Sequence, residues 1–157
     1  MMMTKSKSNN NNKRGRRRGK TFELRSGLED DNRDLLKVSK IDFEYETIRI
    51  PYKSVNTYKP DFILLSNGII VETKGRFFPS DRSKHLKVRT QHPNLDIRFV
   101  FTNSKAKLNP KSKTTYGEWC DKKGFKYADK LIPTLWLSEP PNKLSLQSIT
   151  KLKTGGV

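Results

Sequence analysis

The sequence predicts a mixed α/β fold in which helices flank one central sheet. Apolar and polar residues alternate over residues 41–50, which is typical of a strand with one buried face. Two short apolar segments, residues 61–65 and 69–74, flank the turn sequence Ser66-Asn67-Gly68, which favours a pair of adjacent strands. Further along the chain, segments bounded by helix-start and helix-stop residues alternate with apolar runs. The predicted order is therefore α-β-β-β-α-β-α.

The N-terminal segment, residues 1–21, does not follow this pattern. A run of asparagines precedes an arginine- and glycine-rich block, and the first 20 residues contain eight Lys or Arg and no acid. Too few apolar residues are present to offset the entropy of ordering, so we predict a disordered basic tail. Its candidate contacts to backbone phosphates are Arg14, Arg16, Arg17 and Arg18.

The folded part is expected to begin at Phe22, and a helix is expected to start after Ser26. Ser26-Gly27-Leu28-Glu29 fits a capping box, with Ser26 as the N-cap and Glu29 bonding back to it. This helix should end near Lys37, before the alternating strand.

A ten-residue segment bounded by prolines, residues 51–60, separates this first part from the rest of the chain. Fully extended, it could span about 33–36 Å, which is long enough to bridge two compact halves.

The later elements have clearer boundary residues. They are a helix from Ser80-Asp81 to about Gln91, a buried strand over residues 95–101, a helix over 115–123 that ends at Gly124, and a last packed segment over 131–137 with Trp136 buried. The stretch after Pro140-Pro141 is weakly patterned.

Composition limits the classes of protein that fit. The 157 residues carry a net charge of +17, and the excess of basic residues persists without the first 20 residues. This balance predicts a polyanionic partner. No apolar run approaches the ~20 residues of a membrane-spanning helix, and no secretory signal follows the basic start. Cys120 is the only cysteine, which excludes an intramolecular disulfide and fits an intracellular, cytoplasmic protein.

Polar residues on the two adjacent strands form the main candidate site. Asp61 begins one strand, and Glu72 and Lys74 lie one residue apart on the next, on the same face. Carboxylate oxygens suit a divalent metal ion, and a neighbouring lysine can orient water or stabilise a phosphate. The alternative is a Glu72–Lys74 surface ion pair of little consequence. In a chain this basic, the expected phosphate belongs to a nucleic acid.

Asp61 followed by Glu72-Thr73-Lys74 resembles the motif of the PD-(D/E)xK nuclease superfamily. Within it, residues 22–137 resemble the phage endonuclease I family, the T-seven-type Holliday-junction resolvases. The blocks that carry this resemblance are Leu24-Arg25-Ser26-Gly27-Leu28-Glu29-Asp30, Phe43-Glu44-Tyr45-Glu46, Pro60-Asp61-Phe62, Asn67-Gly68-Ile69, Val71-Glu72-Thr73-Lys74-Gly75, Lys84-His85-Leu86, Gln91-His92-Pro93, Leu95-Asp96-Ile97-Arg98, Tyr116-Gly117-Glu118 and Ala128-Asp129-Lys130-Leu131-Ile132-Pro133.

The resemblance implies a restriction-endonuclease-like fold and a domain-swapped homodimer with an extended bridge. It further implies metal-dependent cutting of branched DNA, chiefly four-way junctions, by a phage-type enzyme. On this basis the nuclease domain would cover residues 22–140. Its parts would be a swapped helix and strand (22–50), the bridge (51–60) and a catalytic core (61–140), followed by a C-terminal extension (141–157).

Four residues fall on catalytic positions of that family: Glu29, Asp61, Glu72 and Lys74. By this resemblance, Asp61 and Glu72 would bind a first Mg²⁺ or Mn²⁺, and Glu29 from the partner subunit would serve a second. Lys74 would position the attacking water or the scissile phosphate. Paired nicks would leave 5′-phosphate ends. For Glu29 the capping-box role is the alternative, and for Glu44, which also matches a family residue, a surface acid is an equal alternative.

Basic residues near these positions are candidates for lining a DNA channel, with a solvated helix face as the alternative: Arg25, Arg76, Arg82, Lys84, Lys87 and Arg89. His85 and His92 lack a paired nucleophile or metal-ligand spacing, so packing or a phosphate contact is expected. Tyr116, Trp119 and Trp136 are expected in the core, and no chemistry is assigned to Cys120.

Two other functions compete with a junction-selective nuclease. A non-catalytic basic nucleic-acid-binding protein would explain the charge but not the acids beside Lys74. A restriction-type or repair nuclease of the same superfamily would keep the site and change the substrate.

Overall fold

The computed structural model describes residues 20–52 and 56–155, with side chains from residue 27 onward. Within these ranges the helices are α1 (Lys20–Val38), α2 (Pro79–Gln91), α3 (Tyr116–Lys123), α4 (Thr134–Leu137) and α5 (Lys143–Lys153). The strands are β1 (Phe43–Tyr45), β2 (Ile50–Pro51), β3 (Thr57–Tyr58), β4 (Phe62–Leu64), β5 (Ile69–Lys74), β6 (Asp96–Phe101) and β7 (Tyr127–Asp129). The predicted tail lies outside the described residues, except for residues 20 and 21, which begin α1. The Arg25 side chain also lies outside them.

Five strands form one mixed sheet in the order β1-β4-β5-β6-β7, and β2 pairs with β3 in a separate ladder. β1, β4 and β5 are antiparallel neighbours, whereas β5, β6 and β7 run parallel. Apolar side chains form two core clusters, one on each face of the sheet. The predicted mixed α/β class with a central sheet flanked by helices is confirmed.

The turn between β4 and β5 forms where the sequence predicts it. Gly68 has a φ of 77°, and a Cβ at this position would lie 3.1 Å from the backbone nitrogen of Leu146. The side-chain amide of Asn67 donates to the carbonyl oxygen of Trp136 at 2.8 Å. The turn therefore closes the hairpin and also anchors the C-terminal part of the chain.

The first helix differs from the prediction. α1 begins at Lys20, so Ser26 lies inside the helix and the predicted N-cap is wrong. The six residues before Ser26 include neither Gly nor Pro, so the backbone can continue as helix.

The next two helices form as predicted. α2 begins at Pro79, where the Asp81 carboxylate accepts from the backbone N–H of Phe78 at 3.1 Å. α3 has Thr115 as its N-cap and Gly124, with a φ of 76°, as its C-cap.

The single strand predicted over residues 41–50 is wrong in length. Only residues 43–45 form a strand that pairs with β4. The Glu46 N–H still donates to the carbonyl oxygen of Asp61 at 3.1 Å, but its φ of 52° turns the backbone out of the extended conformation. The alternating apolar residues are nevertheless turned towards the core, partly buried up to Tyr45 and fully buried at Ile48 and Ile50. Those of β1 pack in one core cluster, and Ile48 and Ile50 pack in the other.

The segment over residues 51–60 doubles back within this single chain. Ile50 pairs with Tyr58 and Pro51 with Thr57 in an antiparallel ladder, while residues 53–55 lie outside the described residues. The extended bridge expected from the sequence is therefore not the conformation found here. As a result, α1 and β1 lie against the core of their own chain.

The C-terminal stretch, weakly patterned in sequence, contains α5. The Ser145 hydroxyl donates to the carbonyl oxygen of Gly68 at 2.6 Å, and Ile149 is buried in the core. Tyr116, Trp119 and Trp136 are buried as predicted. None of the helices in the described part of the chain is long and apolar enough to cross a membrane.

A buried arginine joins β6 to the chain segment before α5. The Arg98 guanidinium donates to both carboxylate oxygens of Asp96, at 2.9 and 2.7 Å, and to both of Glu139, each at 2.7 Å. It also lies 5.1 Å from the centre of the Trp136 ring. Two acids thus neutralise a cation that burial alone would make costly. We call this group the Arg98 clamp.

Candidate active site

The register of β4 and β5 brings the first two predicted site residues together. Phe62 pairs with Val71, so Asp61, which precedes Phe62, and Glu72, which follows Val71, come side by side at the end of the antiparallel ladder. Glu72 and Lys74 point to the same face of β5, as predicted. Both are buried, with exposed fractions of 3% and 1%. The alternative of a surface ion pair is wrong, because buried charges must be matched by specific partners.

Three side chains surround the Glu72 carboxylate. Lys74 Nζ lies 2.9 Å from Oε1, and the Tyr58 hydroxyl donates to Oε2 at 2.9 Å. His85 Nε2 lies 4.0 Å from Oε1. Burial raises the pKa of Glu72, but the nearby positive charges, Lys74 first, overcome that effect and hold the pKa below its ordinary value. Glu72 is therefore held ionised.

Lys74 bridges two elements. Its Nζ lies between Glu72 on β5 and the Asp81 carboxylate in the first turn of α2, 3.2 Å from Asp81 Oδ1. Lys84 Nζ lies 3.8 Å from the same oxygen. This network fixes the lysine side chain against the end of β5.

Asp61 has a different environment. Its Oδ2 accepts from both the backbone N–H and the hydroxyl of Thr73, each at 2.8 Å. Burial, and then repulsion from Glu72, raise the pKa of Asp61 to about 8 despite these hydrogen bonds. The two neighbouring carboxyl groups thus have pKa values displaced in opposite directions, as is common at catalytic sites.

A second acidic group meets Asp61 from the N-terminal part of the chain. Glu29 on α1, Glu46 after β1, and Asp61 each place one carboxylate oxygen within 4.8 Å of the others. The Tyr45 hydroxyl donates to Glu29 Oε1. Glu29 therefore reaches the site although its predicted capping role is wrong, and within this single chain it does so without a partner subunit.

Glu46 was missed by the sequence analysis, which singled out Glu44 instead. Glu44 points elsewhere: it accepts from Thr47 at 2.5 Å and forms an ion pair with Lys153. The two acids are two residues apart on a segment predicted to be one regular strand. The backbone leaves the extended conformation at Glu46, whose φ is 52°, and the two side chains contact different partners.

The predicted DNA-channel residues of α2 and its approach differ in exposure. Arg76 and Lys87 are exposed, whereas Arg82 donates to the carbonyl oxygen of Phe77 at 2.5 Å. Lys84 lies 5.4 Å from the centre of the Tyr58 ring, and the Arg89 guanidinium lies 4.3 Å from that of Phe125. Arg76 and Lys87 are thus the most available of this set.

The two histidines have structural contacts. His85 is fully buried, and its Nδ1 lies 2.9 Å from the carbonyl oxygen of Asp81. Burial lowers the pKa of His85 to about 4. His92 Nε2 lies 2.5 Å from the carbonyl oxygen of Pro51. The packing role expected for His85 is confirmed, and its ring also borders the Glu72 carboxylate.

The arrangement suits phosphodiester chemistry. Carboxylate oxygens converge at one end of the sheet, where a lysine supplies positive charge within the same network. Together with the mixed sheet, this Asp–Glu–Lys site defines a nuclease of the PD-(D/E)xK type.

Comparison with known proteins specifies the family. Residues 9–155 match the family model described as phage endonuclease I. The chain is 50% identical over 135 residues to Endonuclease I of Escherichia phage T7, which covers 84% of this chain and 90% of that protein. It is 49% identical over 140 residues to Endodeoxyribonuclease 1 of Enterobacteria phage T3, covering 87% and 90%. The chain belongs to the phage endonuclease I family and is an endonuclease.

Proposed function

We propose that this endonuclease is a metal-dependent, structure-selective endodeoxyribonuclease that resolves four-way and other branched DNA junctions by paired nicks. The observation that carries the proposal is the placement of Asp61 beside Glu72 and Lys74, with Glu29 and Glu46 within reach of Asp61. The family membership supports nuclease activity. The net charge of +17 supports a polyanionic substrate.

The donor set fits Mg²⁺ or Mn²⁺. All the candidate ligand atoms are carboxylate oxygens, which hard divalent cations prefer over the nitrogen and sulfur ligands typical of zinc. The raised pKa of Asp61 supports the same assignment, because burial and a neighbouring acid leave its negative charge without a counter-charge. Asp61 and Glu72 would hold one ion, and Glu29 would serve a second with help from Glu46. Ions bound there would activate water and neutralise charge on the phosphate.

The chain's own residues supply position and charge. Thr73 fixes Asp61, while Tyr58 and Lys74 fix Glu72, so both carboxylates are oriented before substrate arrives. Lys74 also brings a positive charge to the place where the scissile phosphate must lie. In the hydrolysis, the oxygen of water bonds to phosphorus and the bond to the 3′ oxygen breaks. The 3′ oxygen gains a proton, which leaves a 3′-hydroxyl and a 5′-phosphate.

Recognition of a junction must depend on shape. Junctions share no common sequence, so base-edge contacts cannot define them, and backbone position and bending must do so. Arg76, Lys87 and the four arginines of the tail are proposed phosphate contacts, together with Arg25, Arg82, Lys84 and Arg89.

The enzyme is further proposed to act as a domain-swapped homodimer. Opening the ladder between β2 and β3 would let residues 51–60 act as a hinge that transfers residues 22–50 to a second chain. Their contacts with the core, apart from that ladder, would then form with the partner's core. Glu29 would then complete the partner's site. A twofold dimer presents two equivalent sites, which suits symmetrical paired nicks.

Cleavage of an end-labelled four-way junction and of the matching linear duplex, with Mg²⁺ and with EDTA, tests the proposal. Metal-dependent paired nicks near the branch point, in the junction only, are expected. Equal cutting of both substrates would favour a restriction-type or repair nuclease. Undiminished cutting in EDTA would exclude the metal-dependent mechanism.

A further inference from the structure

A loop beside the active site carries a concentrated positive charge that the proposed site does not use. We propose that this segment, residues 103–114 between β6 and α3, is a second phosphate-binding surface for the duplex next to the cleaved bond. We call it the lysine loop. The inference rests on the proposed function, because it assigns the loop to the same DNA substrate.

Topology places the lysine loop at the active-site edge of the sheet. β5 and β6 are parallel and pair Lys74 with Phe101, so the chain leaving β6 emerges beside the end of β5. The N–H of Thr102 donates to the carbonyl oxygen of Lys74 at 3.1 Å. DNA whose scissile phosphate lies at Lys74 therefore has the start of this loop next to it, and the loop continues past β7, where Ser104 bonds to Asp129.

The charge of the loop is of one sign. Its sequence contains no acid, and it carries four exposed lysines: Lys105, Lys107, Lys111 and Lys113. None of the four forms an ion pair within residues 27–52 and 56–155. The buried cations Lys74 and Arg98, by contrast, are each matched by two acids. The lysine loop leaves its charge to an external partner.

The loop is held in shape rather than free to move. Ser104 donates its N–H and its hydroxyl to the two carboxylate oxygens of Asp129, at 2.6 and 2.7 Å. The N–H of Leu108 donates to the carbonyl oxygen of Thr114 at 3.0 Å, and Leu108 and Ala106 pack against the core. A fixed backbone lowers the entropy cost of engaging several phosphates at once.

The lysines of the loop indicate contact with the DNA backbone rather than recognition of bases. Lysine is a compact point charge that contacts phosphate without the fixed two-pronged geometry that arginine offers to guanine. The lysine loop should therefore strengthen binding to junction and linear DNA alike. Its effect should depend strongly on salt, because each neutralised phosphate releases counterions.

The test compares two variants with the same change in charge. The loop variant is Lys111→Gln with Lys113→Gln. The control is Lys40→Gln with Lys143→Gln, two exposed lysines at the opposite end of the sheet, near the β4–β5 turn. Both are made in an Asp61→Asn background, so that binding to a labelled four-way junction and a linear duplex is measured without cutting. Thermal melting confirms that each variant is folded.

We expect the loop variant to bind both DNAs about tenfold more weakly than the background chain at physiological salt. The slope of log affinity against log salt should fall by about 2 for the loop variant and much less for the control. Equal losses in the two variants would overturn the proposal, because they would reflect net charge alone. A loss confined to the junction would also overturn it.

Cleavage by the otherwise native enzyme separates this inference from the proposed function. If the native chain cuts junctions in Mg²⁺ and the two lysine pairs behave alike, only the loop assignment fails. If the native chain cuts no DNA while the loop variant alone loses affinity, the surface stands and the proposed activity fails.

Discussion

Tyr58 donates its hydroxyl to Glu72 Oε2 at 2.9 Å, and both side chains are buried. Tyr58 belongs to β3, at the end of the hinge segment, and Glu72 belongs to the central strand of the site. The hydrogen bond therefore links the position of β3 to the orientation of a proposed metal ligand. Replacing a residue that orients a metal ligand in this way commonly weakens metal affinity about 10–100-fold.

Tyr58→Phe should keep the fold and weaken the site. Removing the hydroxyl leaves Oε2 of a buried carboxylate without its donor, so the Mg²⁺ concentration for half-maximal cleavage should rise about 10–100-fold. Titration of junction cleavage with Mg²⁺ measures this effect. Tyr52→Phe, in the same hinge segment but half-buried, should leave the titration unchanged. An identical Mg²⁺ requirement for Tyr58→Phe and the native chain would contradict the positioning role.

Glu46→Gln should raise the Mg²⁺ requirement several-fold, because Glu46 contributes an oxygen to the group within 4.8 Å of Glu29 and Asp61. Glu44→Gln, which changes an acid only two residues away, serves as its control. Calorimetric titration of the metal into each variant distinguishes the two. Equal affinities in both variants would show that Glu46 lies outside the metal site.

Asp61→Asn should stabilise the metal-free protein while abolishing cleavage. The pKa of Asp61 is raised from 3.8 to about 8, so between these values the native state binds a proton that the unfolded state has released. The free energy of unfolding should therefore fall as the pH rises through this interval. At the alkaline end, Asp61→Asn should gain about 1–3 kcal/mol over the native chain in EDTA.

Thermal and urea unfolding over this pH range measure the difference. The slope against pH should flatten in Asp61→Asn and remain in Asp31→Asn, which alters an exposed acid of α1. If Asp61→Asn kept the full slope, the pH dependence would have to arise from another group.

The proposed domain swap predicts complementation between two inactive chains. Glu29→Gln and Glu72→Gln should each abolish cleavage. In a swapped heterodimer, the intact Glu29 of one chain completes the intact Glu72 core of the other. Co-expression of the two variants should restore about one quarter of the sites. Each heterodimer would have one working site, so it should nick junctions on one strand only.

Junction nicking by the co-expressed pair, compared with each variant alone, measures this recovery. In a dimer whose sites are each complete within one chain, mixing would restore nothing, and that result would exclude the swap. Light scattering of the native chain provides the independent measure of its mass.

Local signals account for the part of the site that the sequence predicted. Asp61, Glu72 and Lys74 lie on a hairpin whose register follows from one short turn and the alternation of side chains. The burial of Glu72 and Lys74 followed from their position on an apolar central strand. Asp81 shows the limit of such signals, because its capping role was visible while its contact with Lys74 depends on how α2 packs on the sheet.

The residues that were missed depend on tertiary structure. Glu46 joins the acidic group because the backbone leaves the β1 ladder there, and an alternating sequence carries no sign of that break. The start of α1 was misplaced because a favourable local cap competed with a longer helix. In α5, the apolar residues Leu146, Ile149 and Leu152 recur every three residues, a spacing that indicates a helix. The surrounding stretch is weakly patterned, so this spacing was not recognised.

The Arg98 clamp lies along β6 on the side away from Phe101, the residue that pairs with Lys74. Arg98 is three residues from Phe101 and Asp96 is five, or roughly 10 and 16 Å along the strand. The clamp's acids and Lys74 therefore lie towards opposite ends of the sheet's strands. Substitutions at the proposed catalytic residues can be made while the clamp continues to hold β6 to the segment before α5. A nuclease-dead form that still binds DNA is accordingly an accessible reagent, reached by replacing one carboxylate of the proposed site, which within the described residues makes no hydrogen bond with the clamp.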